Sequence, residues 1–457
     1  MLFRFSWPLV VGRKLCLGLT ALLWISTVDA YSSGITYQIE FKRDTRELLG
    51  TVCQENILAK SFDLPVGARW IDRSVDHGWA EQSDCLSYRK VLSANNSSRY
   101  FDRPTSTDIT VSSLDAILPC SNSLKSYRSG VKIKLPHGEQ ISMPGRRIGP
   151  TEFELLDRPC SWSSAVIFGQ IAEQTFTFGQ SKVRVAIPAG ELADQHEKLL
   201  SWLNEGLKSL ASAYGELPLP ETQVLIFPVG QNREAVPWGQ AMRGGGDAVH
   251  LYVDETKSLS ELNKDWVLVH ELSHLLHPYM RGSDGWLSEG IASYYQNVLR
   301  ARSGLLSAQQ AWEKLDAGFR RGEKQFTPGV RLYENTRDLM RNRQYMRVYW
   351  SGAAIAFIGD VELRRASGGE LSLDRLLKEI SACCLPTTQR RWEAKALLKR
   401  FDEISGTRIF SQLYDDYVMN AEFPALSQVY ENLGLQRDAE GLRFLTRGTT
   451  LRDSIMN

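Results

Sequence analysis

The stretch VLVHELSHLLHPY (residues 267–279) sets three histidines and one glutamate inside an otherwise apolar run. On a helix, His270 and His274 stand at i and i+4, one turn apart on one face. That spacing lets two imidazoles reach one tetrahedral Zn2+ at about 2.0–2.1 Å. Glu271 follows the first histidine directly and can take a proton from a water on the metal, the HExxH pattern. The apolar WVLV (266–269) in front of the motif buries the helix, and Asn263 is its expected cap. The competing reading is that these are packing residues, because a motif of this length also arises by chance.

A catalytic zinc needs a third protein ligand and one open position for water. WLSEGIASYY (286–295) offers Glu289, early in a second predicted helix and just after the turn signal RGSDG. A helix–turn–helix folds this glutamate back over the histidine face, giving a His2Glu set for one zinc ion. The alternative is a solvated first-turn glutamate favoured by the helix dipole. His277, three residues beyond His274, lies on nearly the same face. It is either a ligand in place of Glu289 or a support for a buried polar group. VYWSGAAIAF (348–357) opens a helix rich in small residues and holds Tyr349, whose hydroxyl suits a tetrahedral oxyanion. The alternative for Tyr349 is an aromatic core residue, and Tyr345, Tyr294 and Tyr295 compete for the role.

Outward from the motif the texture is regular. VRVAIPAG opens a strand–helix–strand run ending in TQVLIFPV, a glycine-rich connection GQAMRGGG, and the strand AVHLYVDE. Residues 31–182 alternate apolar and polar positions in ITYQIEF, VKIKLP and QTFTFG, with turn clusters between them, and read as a β-rich accessory domain. Beyond about residue 305 the pattern is helical, with Ser372 the expected N-cap of SLDRLLKEI. The expected divisions are 1–30 leader, 31–182 β-rich domain, 183–305 zinc-binding α/β subdomain, and 306–457 helical subdomain completing the site.

The first thirty residues combine Arg4, Arg13 and Lys14 with the apolar run LCLGLTALLWI and small residues before Ala30. This is the layout of a cleaved secretory signal, so the mature chain is expected to be exported, without stable membrane insertion. Six cysteines follow the leader, an even number that suits disulfides in an exported chain. Cys53–Cys85 and Cys120–Cys160 are the expected pairs, whereas adjacent Cys383 and Cys384 leave a vicinal disulfide, free thiols or separate partners open. Asn95 and Asn96 each begin an Asn-x-Ser sequon. A net charge of +1 among 23% charged residues, with no basic cluster, excludes a large non-specific nucleic-acid surface.

HELSH followed by WLSEGIASYY resembles the gluzincins, and among them the glycyl aminopeptidase family, metallopeptidase family sixty-one. FGQIAEQTFTFGQSKVRVAIPAG, YWSGAAIAFIGDVELRRASGGELSLDRLLKEI and FDEISGTRIFSQLYDDYV extend the resemblance over roughly residues 165 to 435. It implies an α+β chain in which the β-rich N-terminal domain precedes a thermolysin-like catalytic domain with a mostly helical C-terminal part. It also implies a zinc metallopeptidase acting on peptide or protein substrates, with His270, His274 and Glu289 as ligands and Glu271 as general base. Tyr349 matches the tyrosine of the Y-x-K-G motif in the related aminopeptidase-N family, with Ser351 where the lysine would stand. Two departures accompany the match. The family's exopeptidases carry a glutamate in the glycine-rich segment that holds the substrate amine, and here Met242 or Arg243 falls near that position. The chain also stops at Asn457, without room for the family's PDZ domain. Aminopeptidase and endopeptidase action both stay open, and the rival class is a non-catalytic exported peptide- or protein-binding protein on the same scaffold.

Overall fold

The computed structural model describes residues 34–54, 62–71, 85–92, 109–121, 128–156, 160, 162–188, 193–280, 282–385, 391–438 and 441–457. The expected leader, Cys16 and the sequons at Asn95 and Asn96 lie outside these residues.

Alternation builds the N-terminal part. Along Ile35–Lys42, Ile35, Tyr37, Ile39 and Phe41 are buried and the residues between them are less so, as one face of a pleated strand requires. This strand sits in a seven-stranded sheet with spatial order 146–149, 152–155, 129–134, 35–42, 47–53, 85–91, 69–71. A three-stranded sheet (109–113, 165–169, 140–142) shares its core, with the Phe41 and Phe168 rings edge to face at 4.6 Å. Cys53 and Cys85 are cross-strand partners and are disulfide-bonded, as are Cys120 and Cys160.

The part that follows hangs on a five-stranded mixed sheet with order 171–178, 181–188, 221–228, 248–253, 238–242. The three inner strands run parallel and both outer strands antiparallel. Every residue of Ala248–Val253 is buried, the mark of a strand covered on both faces. Helix Ala193–Ala211 links the first two parallel strands and buries Leu199, Leu203, Leu207 and Leu210. The stretch expected to be a glycine-rich connection begins instead as the edge strand Trp238–Met242. Only the segment after it turns, at Gly245 and Gly246 with φ +82° and +152°. Its glycine at 239 reads as loop in sequence, but here it permits close approach rather than a bend.

The motif helix Val267–Ser273 follows a short helix, Leu259–Lys264, closed by a Ser258/Glu261 capping box. Asn263 does not cap it. Asp265 does so from two residues before, its Oδ1 accepting from Val267 N–H at 2.7 Å. The chain tightens to a 3-10 turn at His274–Leu276 and returns as the glutamate helix Gly285–Arg302. Helices Ala308–Lys324, Tyr345–Ala366 and Leu373–Cys384 follow, and Ser372 caps the last through Arg375 N–H. Cys383 and Cys384 at its end form a vicinal disulfide.

The glutamate helix and the tyrosine helix, Tyr345–Ala366, cross backbone to backbone. A Cβ on Gly352 would overlap the Trp286 carbonyl and come within 2.9 Å of Gly290 Cα, and one on Gly290 would overlap the Gly352 backbone. This crossing sets Tyr349, one turn before Gly352, beside Glu289. Residues 32–457 form one unit, and none of the described helices is long and apolar enough to cross a membrane.

Candidate metal centre and cleft

His270, His274 and Glu289 converge, with one ligand atom from each lying within 4.8 Å of the others. Glu289 Oε2 is 3.2 Å from His270 Nε2 and 3.7 Å from His274 Nε2. Four ligands at about 2.0–2.1 Å around a tetrahedral zinc stand about 3.3–3.5 Å apart, so the donor set fits that ion.

The tautomers fit as well. His270 Nδ1–H donates to Gln296 Oε1 at 2.8 Å, leaving the Nε2 lone pair toward Glu289 and His274. His277 Nδ1–H donates to the Pro278 carbonyl at 2.8 Å, so its Nε2 accepts from the Ser288 hydroxyl at 3.4 Å. Ser288 Oγ in turn accepts from His274 Nδ1–H at 3.1 Å, which frees His274 Nε2 for a metal. His277 therefore lies behind His274 rather than in the donor cluster. Burial, then the neighbouring His270, His277 and Arg243, push the His274 imidazole well below its usual value, keeping it neutral.

Glu271 is buried beside the cluster. Burial pushes its carboxyl up to about 7, with His270 pulling it down, Glu289 pushing it up, and a hydrogen bond from Ala241 N–H favouring the charged form. The edge strand lies directly over it. A Cβ on Gly239 would meet both Glu271 Cγ and Val267 Cγ1 at 2.6 Å, so only glycine lets the strand come this close.

Tyr349 stacks on His270, ring centroids 6.1 Å apart and planes 12° apart. Its hydroxyl hydrogen-bonds Glu289, and burial, followed by the Glu289 and Glu271 charges, raises its pKa. The competing tyrosines are committed elsewhere. Tyr294 donates to Asp360 at 2.8 Å and Tyr295 to Asp374 at 2.9 Å, inside a buried network with Arg302 and Arg364. The Tyr345 hydroxyl rests on Met340 Sδ at 3.6 Å.

Arg243, near the position expected for an amine-binding glutamate, is turned into the protein. It is buried, donating to Asp247 Oδ1 and to the His274 carbonyl, each at 2.5 Å, and to the His277 carbonyl at 3.3 Å. It ties the end of the edge strand to the end of the motif segment. Sequence reasoning placed Arg243 near the amine-binding position but missed its tethering role, and it missed Ser288 and Gln296. Gln296 had a signal, since it lies two helical turns beyond Glu289 and so on the same face. Arg243 had none, being about thirty residues from the carbonyls it holds.

The mixed sheet, the motif helix over its edge strand and the His–His–Glu cluster are those of a zinc metallopeptidase. Residues 267–353 match the family model described as the M61 glycyl aminopeptidase. Among solved structures, an aminopeptidase N family protein from Idiomarina loihiensis shares the fold at TM-score 0.64 and 15% identity, over 88% of this chain and 78% of that one. The M1 zinc metallopeptidase from Deinococcus radiodurans superposes at TM-score 0.51 and 17% identity, over 87% and 96% of the two chains. Yeast LTA4 hydrolase, solved in complex with bestatin, superposes at TM-score 0.51 and 11% identity, over 88% and 70%. No curated protein sequence matches the chain.

Proposed function

We propose that the protein is an exported, zinc-dependent peptidase in which His270, His274 and Glu289 hold one zinc ion. Glu271 serves as its general base and Tyr349 donates to the oxyanion. The observation that carries this reading is the convergence of three lone-pair donors, with the tautomers of the two imidazoles fixed by Gln296 and by the Ser288–His277 pair behind them. Zinc bound there supplies a Lewis acid for the peptide carbonyl and a water of lowered pKa. Glu271, beside the cluster, would accept the proton of the attacking water and pass it to the departing amine. The Tyr349 hydroxyl donates a hydrogen bond where negative charge develops on the former carbonyl oxygen.

Substrate docking is supported by the edge strand. Ala241 N–H is used by Glu271 and its carbonyl by Trp162, so both point away from the partner strand. In an antiparallel ladder Gly239, two residues earlier, then presents its own N–H and C=O on that side. An extended peptide can pair with it as an added strand. Export is supported by the basic-then-apolar leader and by the disulfide-bonded cysteines.

The test is metal analysis of the purified chain, with cleavage of a peptide library before and after chelation. Glu271→Gln should keep its zinc while cleavage falls about 10²–10⁴-fold, the range for lost acid–base catalysis. Undiminished cleavage by that variant would remove Glu271 from its role. Bound zinc with no cleavage of any peptide would favour the binding-protein class instead.

A further inference from the structure

Three disulfides cross-link the described residues, and one of them differs in kind. Cys53–Cys85 and Cys120–Cys160 join residues 32 and 40 positions apart, so each closes a loop and removes freedom from the unfolded chain. Cys383–Cys384 joins neighbours. It closes no loop, so chain entropy gives it no stapling role. Its place is the last turn of helix Leu373–Cys384. Cys383 is exposed there, Cys384 is half-buried against the main core, and Leu385 just beyond is buried.

Neighbouring side chains on a helix leave the axis about 100° apart and do not face each other. A bond between them therefore acts on the backbone of the last turn. Closed, it holds both sulfurs at one point; open, it leaves Cys384 to the core and Cys383 to water. The far end of this helix is fixed, because Asp374 takes hydrogen bonds from Arg302, Arg364 and Tyr295. The near end is tied to the turn after the motif helix. Lys378 donates from Nζ to the Tyr214 carbonyl at 3.1 Å and stands 3.3 Å from Glu216 Oε1. The Tyr214 hydroxyl in turn donates to the Leu276 carbonyl at 2.8 Å. Leu276 ends the 3-10 turn that begins at His274, and helix Leu373–Cys384 packs against that turn.

We infer that Cys383–Cys384 is a site of reversible thiol–disulfide exchange with a dithiol, and that its state sets how firmly the turn His274–Leu276 is held. A thiolate of the dithiol attacks the exposed Cys383 sulfur, the Cys383–Cys384 bond breaks, and the Cys384 thiolate leaves. The second thiol of the partner then attacks the partner sulfur of the mixed disulfide and releases the Cys383 thiolate. The partner departs as a disulfide, having given two electrons and two protons to the pair, and the reverse sequence closes the bond. The inference goes beyond the peptidase reading and does not rest on it.

The experiment uses the full-length protein and has two arms. In the first, the protein is equilibrated in graded mixtures of reduced and oxidised dithiothreitol, quenched with acid and alkylated, and each cysteine pair is read by peptide mass. Cys383–Cys384 should open in a less reducing mixture than either loop-closing bond. In the second, with no reductant present, amide hydrogen exchange is followed in wild type, Cys383→Ser and Cys384→Ser. The two variants break the same bond from opposite sides, so both should speed exchange across residues 274–280 about tenfold, as a local opening does, and leave the N-terminal strand 35–42 unchanged. Opening of Cys383–Cys384 together with or after the other bonds would overturn the inference. So would unchanged exchange at 274–280, or a change in only one of the two variants.

Discussion

The two helices that carry the His–His–Glu cluster, the helix wall, and the edge strand beside them, the strand wall, differ in where their polar groups find partners. On the helix wall each histidine leans on a residue of the same two helices or the turn between them: His270 on Gln296, His274 on Ser288, Ser288 on His277. On the strand wall the partners come from far along the chain. Trp162 reaches Ala241 across 79 residues, and His250 lies between Ala165, 85 residues away, and Gln240 of the edge strand. One wall is built from near neighbours in the chain; the other is assembled from segments far apart in it. Damage to the first should therefore appear as lost metal or lost fold, and damage to the second as altered substrate choice or altered coupling to the N-terminal sheets.

The hardest blow to the helix wall should be Gly352→Ala. The added Cβ meets only backbone, at Trp286 and Gly290, and neither can swing aside. We expect a stability loss of about 3 kcal/mol, the upper end for overpacking, read by chemical denaturation. A loss under about 1 kcal/mol would mean that the helices part easily and that the crossing does not set the position of Tyr349. Ser288→Ala is gentler. It removes the hydroxyl shared by His274 Nδ1 and His277 Nε2 and should weaken zinc binding about 10–100-fold, as loss of a ligand-orienting partner does. Competition against a chelator of known affinity measures this, and unchanged affinity would leave Ser288 without an orienting role.

The smallest effect probes the strand wall. Burial pushes the His250 imidazole down to about 3 from an ordinary value near 6.5. The fold therefore holds it neutral, and the unfolded chain binds the proton first as pH falls. Its contribution is fully present above about pH 6.5 and is lost progressively as pH drops toward about 3. Between pH 7 and pH 5.5 the wild type should lose about 1 kcal/mol more stability than His250→Gln. Equal losses in the two proteins would show that this histidine does not link the sheets through a neutral ring.

What was legible in the sequence follows the same division. The i, i+4 histidines, the start of the glutamate helix near Trp286 and the Ser372 cap depend on neighbours within a few turns, so spacing alone carried them. The edge strand was hidden because its glycine reads as a loop signal. Gly239 is in fact a close-approach residue, a fact that depends on Val267 and Glu271 some thirty positions later. The cap of the motif helix was misplaced by two residues, since Asn263 lies in the last turn of the preceding short helix while Asp265 makes the bond. Four tyrosines near the site looked equivalent in sequence. The resemblance singled out Tyr349, and the physical reason appeared when Asp360 and Asp374, from the tyrosine helix and the helix after it, took up Tyr294 and Tyr295. The pairing of Trp162 with Ala241 had no local pattern to reveal it.

The contact between Gly290 and Gly352 also sets a tolerance. Where side chains separate two helices, their spacing drifts as rotamers are exchanged and as methyl groups are gained or lost over generations of substitution. Where main chain rests on main chain, that drift has a hard stop. The outer faces of both helices can then vary freely while the offset between Tyr349 and Glu289 stays within the thickness of a peptide group.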